Sequence, residues 1–174
     1  MIEDSAPSIG SKINDQLTGT FGLGAGFSFQ GAKPIVTGEG GMLVTNDDNF
    51  YDKCFYYWDH CRKKGEVLFN DNYGLKYKMS NIQAALGLAQ LERINEIIEK
   101  RRQIFFWYQR ELQDNPFITL NTEREGIYNN FYVPTIILSS EFTKDTTIVM
   151  KELAERGVAN RPFFRCITKM MGHA

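Results

Sequence analysis

The sequence predicts an α/β protein with a mixed sheet, and three observations carry that expectation. Short strand-like runs in the first half are interleaved with glycine-rich turns, a helical hydrophobic period takes over from Ser80, and the end of the chain reads as strand, helix, strand. With 174 residues and 43% hydrophobic content, the chain is long enough to bury a real core.

In chain order, residues 1–4 read as the tail of a strand, and residues 21–29 as a second one in which glycines alternate with bulky residues, as close packing requires. Residues 41–45 form a third strand that leads into a helix over residues 48–61. A composition shift near residues 73–80 marks a boundary. Ser80 and Gln83 then have capping-box spacing, so that hydroxyl and amide satisfy backbone donors left free by the first turn. Leu91, Ile94, Ile98, Phe105, Tyr108 and Leu112 recur at helical steps until Asn115-Pro116 stops the run. That predicts one helix of about 35 residues, well beyond the roughly 8 to 20 of an ordinary globular helix. After a polar loop, residues 131–138 read as an edge strand because they contain Pro134. Residues 145–156 read as a helix closed by Gly157, and residues 158–164 as a last strand.

Charge and cysteine usage narrow the function classes. Twenty basic and 21 acidic residues leave a formal net charge of -1, so no overall field draws in nucleic acid or an anionic membrane. No run approaches the roughly 18 apolar residues that span a bilayer, and the start at Met1-Ile2-Glu3-Asp4 lacks a basic leader, which points to a cytoplasmic protein. Cys54, Cys61 and Cys166 are odd in number and widely spaced, which fits neither a disulfide framework nor a metal cluster, and no metal site is expected.

The most informative segment is Phe27-Ser28-Phe29-Gln30-Gly31-Ala32-Lys33-Pro34 with Gly38-Glu39-Gly40-Gly41 behind it. It sets a serine and a lysine just past a strand, in a loop whose glycines let backbone approach a ligand. A lysine desolvated there by Phe27, Phe29 and other aromatics would be a usable amine nucleophile. A loop lysine taken alone is more often a solvated one. Gly22, Gly24 and Gly26 lack the dinucleotide-loop spacing and are read as strand packing.

A wider pattern changes that balance. Ile2-Glu3-Asp4, the Ser28 to Lys33 segment, Thr37-Gly38-Glu39-Gly40-Gly41, Gln83-Ala84-Ala85-Leu86-Gly87, Gln90-Leu91-Glu92-Arg93 and Arg161-Pro162-Phe163-Phe164 follow one another in the order that resembles the DegT/DnrJ/EryC1/StrS family of sugar aminotransferases. The branch it looks closest to is the perosamine-synthase-like one. The resemblance implies a fragment of the type I, aspartate-aminotransferase-like fold dependent on pyridoxal 5'-phosphate. Residues 1–75 would be the end of the large cofactor-binding domain, and residues 76–174 the connecting helix with an incomplete small domain.

It also implies roles. Lys33 would carry the cofactor and shuttle a proton, Asp4 would face the pyridine nitrogen, Ser28 would hold the phosphate and Ala6 would pack on the ring. The substrate implied is a nucleotide-linked 4-keto-6-deoxy sugar, with glutamate as amino donor, in deoxyamino-sugar and surface polysaccharide synthesis, and the assembly implied is a homodimer. Three departures accompany the match. Pro7 stands where the family commonly has a polar residue against the cofactor, His60-Cys61 replaces a histidine-glycine pair, and Lys76 replaces an asparagine that reaches the neighbouring subunit's cofactor phosphate. Lys76 could make a charge-assisted contact there or equally sit in solvent. Family members run to roughly twice this length, so exposed sheet edges and poor stability or activity are expected of this chain alone. The competing readings are a sugar 3-dehydratase, which goes with histidine in place of Lys33, a pyridoxal-phosphate-binding module without turnover, and an inert fragment.

Overall fold

The computed structural model describes residues 1–166 and 168. In chain order the elements are β1 (Ile2–Asp4), β2 (Lys12–Ile13), β3 (Gln16–Leu17), β4 (Gly24–Ser28), β5 (Gly41–Val44), α1 (Asp48–Trp58), α2 (Asn81–Leu91), α3 (Ile94–Leu112), β6 (Ile118–Leu120), β7 (Ile127–Tyr128), β8 (Ile136–Leu138) and α4 (Thr146–Glu155). They form two compact units, Met1–Glu111 with Asn121–Thr135, and Leu112–Leu120 with Ile136–Ala174. The division expected at residues 75 and 76 falls inside the first unit. The last stretch of the expected 76–174 domain, residues 167 and 169–174, lies outside the described residues.

The first unit holds the mixed sheet that the sequence predicts, in the order β1-β4-β5. β1 runs parallel to β4 with Asp4 opposite Gly26, and β5 runs antiparallel to β4 with Gly41 opposite Ser28. The glycines of β4 and β5 are there for proximity: a Cβ on Gly24 would lie 2.7 Å from a Phe50 ring carbon, and one on Gly41 only 2.6 Å from the Phe27 carbonyl oxygen. A second sheet, β3-β2-β7, has no counterpart in the sequence reading. Its strands are two residues long, too short for any periodicity to register. The local signal is Asn14-Asp15, which take φ of 47° and 64° and so make the left-handed turn that a two-residue hairpin needs.

The expected single long helix is two. At the junction the Arg93 amide donates to Gln90 O, three residues back, while the Ile97 amide returns to the four-residue step onto Arg93 O. The stripe facing inward is also phased differently from the apolar pattern. Leu91 and Tyr108 are exposed, whereas Gln83, Gly87 and Gln90 are half-buried and Ile98 and Phe105 buried. Along α2 the inward positions are glutamine or glycine because each meets backbone or side chain of the 36–39 loop, so hydrophobicity alone misplaces them.

Phe105 stacks on Phe131 with ring centroids 3.6 Å apart and planes 4° from parallel, the centre of the first unit's core. This stacking explains why residues 131–138 do not form the expected strand. Phe131 takes φ of 45°, and its amide and that of Tyr132 are satisfied by the side chains of Asn129 and Asn130 rather than by a neighbouring strand. Strand geometry begins only at Ile136.

In the second unit β8 pairs antiparallel with β6, which occupies part of what reads as a polar loop. α4 follows the expected bounds. Asp145 caps its start by accepting the Thr147 amide at 2.7 Å, and Gly157 adopts φ of 80° just past its end. Residues 158–164 form no strand ladder. The Val158 amide is used to close α4 on Leu153 O, and the Asn160 amide group reaches back to Met150 O.

Candidate active site

The parallel pairing of β1 and β4 sets the first feature. Asp4 is opposite Gly26, and Ser28 is two places further along β4, so alternation puts the Asp4 carboxylate and the Ser28 hydroxyl on the same face, at the ends of adjacent parallel strands. Asp4 is exposed, and its Oδ1 accepts the Ala6 amide at 3.2 Å, while Ser28 Oγ accepts the Gln30 amide at 3.4 Å. Glu3 points to the other face. There it accepts the amides of Gly19, Phe21 and Gly22 at 2.7 to 2.8 Å, tying down the turn that leads into β4. Burial would raise the Glu3 carboxyl, but those three donors hold it below its ordinary value.

Lys33 lies in the loop that leaves β4, half-buried and followed by buried Pro34 and Ile35. The loop is closed by the Phe29 amide on Gly40 O at 2.8 Å and the Thr37 amide on Phe29 O at 2.9 Å. Gly40 is needed at that closure: it takes φ of 144°, and a Cβ would fall 2.8 Å from both Met79 Cε and Thr37 Oγ1. The helices then pin the loop from the side. Gln83 Nε2 donates to Glu39 O at 2.8 Å, Gln90 grips Val36 through both its amide and carbonyl (2.9 and 2.7 Å), and Gly87 leaves Thr37 Cγ2 only 3.1 Å from where a Cβ would be. The family motif residues on α2 are thus the ones that hold the lysine loop in place.

Lys33 Nζ meets the ring of Tyr132, 4.9 Å away, which sequence proximity to Phe27 and Phe29 did not indicate. Arg101 connects the two segments, donating to Tyr132 O at 3.0 Å and to Lys33 O at 3.4 Å. Burial pushes the Arg101 guanidinium below its ordinary value, with Tyr132 opposing. Asn130 does the equivalent work for the segment just after Ala6. Nearly fully buried, it donates to Pro7 O and Ile9 O at 2.8 and 2.9 Å, and its backbone amide donates to Ser11 Oγ. Pro7, which lacks the side-chain donor or acceptor common at its position, thus contributes its carbonyl to positioning. Tyr132, Arg101 and Asn130 were missed by the sequence reading. The adjacent asparagines at 129 and 130, set between apolar runs, were the one local hint.

Lys76 is not brought to this cluster. It is exposed, bridged through its backbone to Asp59 beside the bonds of Tyr77 N to Trp58 O and His60 N to Leu75 O. His60 and Cys61 take φ of 61° and 55°, so Cys61 occupies a left-handed position that a glycine fills without strain. No group of three or more candidate metal ligands exists among the described residues.

A sequence profile of the DegT/DnrJ/EryC1/StrS aminotransferase family matches residues 1–172. The chain belongs to that family. Among its relatives, GDP-perosamine synthase of Vibrio cholerae is 38% identical over 164 residues, covering 94% of this chain and 44% of that protein. The putative pyridoxal phosphate-dependent aminotransferase EpsN of Bacillus subtilis is 33% identical over 165 residues, covering 95% and 42% respectively. Among solved structures, Helicobacter pylori PseC, an aminotransferase involved in the biosynthesis of pseudoaminic acid, superposes with a TM-score of 0.92 at 27% identity over 99% of this chain and 47% of that one. The chain therefore spans under half the length of these proteins. The mixed α/β architecture is that of a type I aminotransferase, of which this chain covers a part.

The donor set suits the group such enzymes hold. An exposed carboxylate at a strand end can pair with a protonated ring nitrogen, a hydroxyl on the same face can bond a phosphate oxygen, and a lysine on the next loop offers a primary amine. No helix among the described residues is long and apolar enough to cross a membrane.

Proposed function

We propose that this chain is part of a pyridoxal-phosphate-dependent aminotransferase that aminates a nucleotide-linked 4-keto-6-deoxy sugar, with glutamate as donor, for deoxyamino-sugar and surface polysaccharide synthesis. The observation that carries the reading is the placement of Asp4 and Ser28 on one face of the β1–β4 pair, with Lys33 on the loop that β4 feeds. Identity to GDP-perosamine synthase supports the substrate class.

When bound, pyridoxal phosphate supplies an electron sink for the carbon whose hydrogen is removed. Lys33 supplies the amine that holds the cofactor and, once freed, moves a proton at Nζ. The Asp4 carboxylate keeps the ring nitrogen protonated, Ser28 Oγ donates to the phosphate, and Ala6 abuts the ring. Pinning of the Lys33 loop by Gln83 and Gln90 limits its backbone freedom, so that motion is left to the side chain. Exposed Lys76 reaches the phosphate of a second subunit in a homodimer. The large-domain and small-domain division at residues 75 and 76 belongs to that whole enzyme. A cytoplasmic setting goes with the same reading, since both substrates are water-soluble.

The test is reduction with borohydride in the presence of pyridoxal phosphate, followed by peptide mapping. We expect one dominant adduct, on Lys33, which Lys33→Ala abolishes. Adducts scattered over exposed lysines would overturn the cofactor assignment.

A further inference from the structure

We infer that Arg101 and Tyr132 are positioning residues for Lys33, acting together to fix the direction from which its amine works. The inference rests on the reading of Lys33 as the cofactor-bearing residue. Its basis is that Lys33 is constrained at three points. Its amide donates to Gln30 O at 2.9 Å, its carbonyl accepts from Arg101 at 3.4 Å, and its Nζ sits 4.9 Å from the centroid of Tyr132.

Arg101 makes these constraints one device. The two terminal nitrogens of its guanidinium, rigidly spaced, divide between Lys33 O and Tyr132 O, so the backbone carrying the amine and the backbone carrying the ring are held in register by a single planar group. The segments are remote in sequence and share no strand ladder, so no secondary structure would otherwise set their spacing. Tyr132 is itself held from the other end, its amide donating to Asn130 Oδ1 at 3.0 Å. A ring face beneath an ammonium attracts it. It gives the lysine tip a defined resting place, leaving only the side-chain torsions to carry the amine toward the Asp4 and Ser28 face.

A structural role alone would need Arg101 only as a donor to two carbonyls and would give the Tyr132 ring no influence on the amine. Two readouts separate these roles in the full 174-residue chain. The first is the carbon resonance of ¹³C-methylated Lys33, assigned by its loss in Lys33→Arg. We expect it displaced upfield by the ring relative to exposed Lys151, unchanged in Tyr132→Phe, and returned to the exposed-lysine position in Tyr132→Leu and Arg101→Met. The second is borohydride trapping with pyridoxal phosphate. The ratio of adduct on Lys33 to that on Lys151 should change by about two- to fivefold in Tyr132→Leu and Arg101→Met, the size of an exposed cation–π contact, and hold in Tyr132→Phe. The inference is overturned if the Lys33 resonance stays put in Tyr132→Leu, or if the trapping ratio is the same in the parent chain and both disruptive variants. The outcome that removes the cofactor reading is different: no preference for Lys33 in the parent chain itself, in which case the resonance still decides whether the ring and guanidinium place the amine.

Discussion

Asn130 shows how much of the candidate site depends on a residue with no chemistry of its own to perform. Its side chain satisfies two carbonyls after Asp4 and the amide of Tyr132 while almost wholly buried. Asn130→Ala would leave those groups without partners in a place water reaches poorly, and each unpaired buried group costs about 1 to 3 kcal/mol. We expect a loss of about 3 kcal/mol in urea unfolding, against well under 1 kcal/mol for a control at exposed Asn72. The residues that could be read from sequence, Asp4, Ser28 and Lys33, have a strand end or a glycine-rich loop around them that marks them locally. Asn130, Arg101 and Tyr132 could not be read in that way, because the contacts that tie them to Pro7, Ile9 and Lys33 cross long stretches of chain, and the paired asparagines at 129 and 130 leave the one local hint.

Among the elements, α2 has two tasks that mutation can separate. Ser80 and Gln83 form the capping box foreseen from their spacing, and Gln83 also tethers Glu39 O. Ser80→Ala should cost about 1 kcal/mol, the usual value of a lost cap. Gln83→Ala should cost a similar amount and in addition speed amide exchange at Thr37, whose bond to Phe29 O closes the lysine loop. Equal exchange at Thr37 in both variants would mean that the tether is not what stabilises the loop. Helices were legible because caps and a sustained period announce them. β2, β3 and β7 were not, being two residues each, and β6 was hidden in a polar stretch whose partner, β8, lies beyond Pro134. The expected strand at residues 131–138 failed at its start for a reason no propensity encodes: Phe131 turns left-handed to lay its ring on Phe105.

At the scale of the molecule, stability should follow acid in a definite direction. Arg102 pairs with Glu123 and also donates to Asn129 O at 2.6 Å, with the Tyr128 ring 4.0 Å from its guanidinium carbon. Burial would raise Glu123, but Arg102 and the Asn129 amide hold it below its ordinary 4.5. A carboxylate depressed in the folded state stabilises it above the unfolded value and loses that contribution as pH falls through the folded one. Urea midpoints should therefore decline as pH drops below 4.5, and Glu123→Gln, less stable at neutral pH, should show a shallower decline. A midpoint that falls just as steeply in the variant would assign the acid sensitivity to Glu3 and the other paired carboxylates. The same topology bears on how the chain is made. The Asn130 tie joins the two sequence ends of the first unit, so Lys33 leaves the ribosome about a hundred codons before Tyr132 and Asn130 follow, a wait of roughly 5 to 20 s at ordinary elongation rates. Through that interval the nascent lysine loop, still without the Tyr132 ring and the Arg101 tie between the two segments, has the character of a chaperone's client, and synonymous changes that slow decoding between the two would lengthen its exposure.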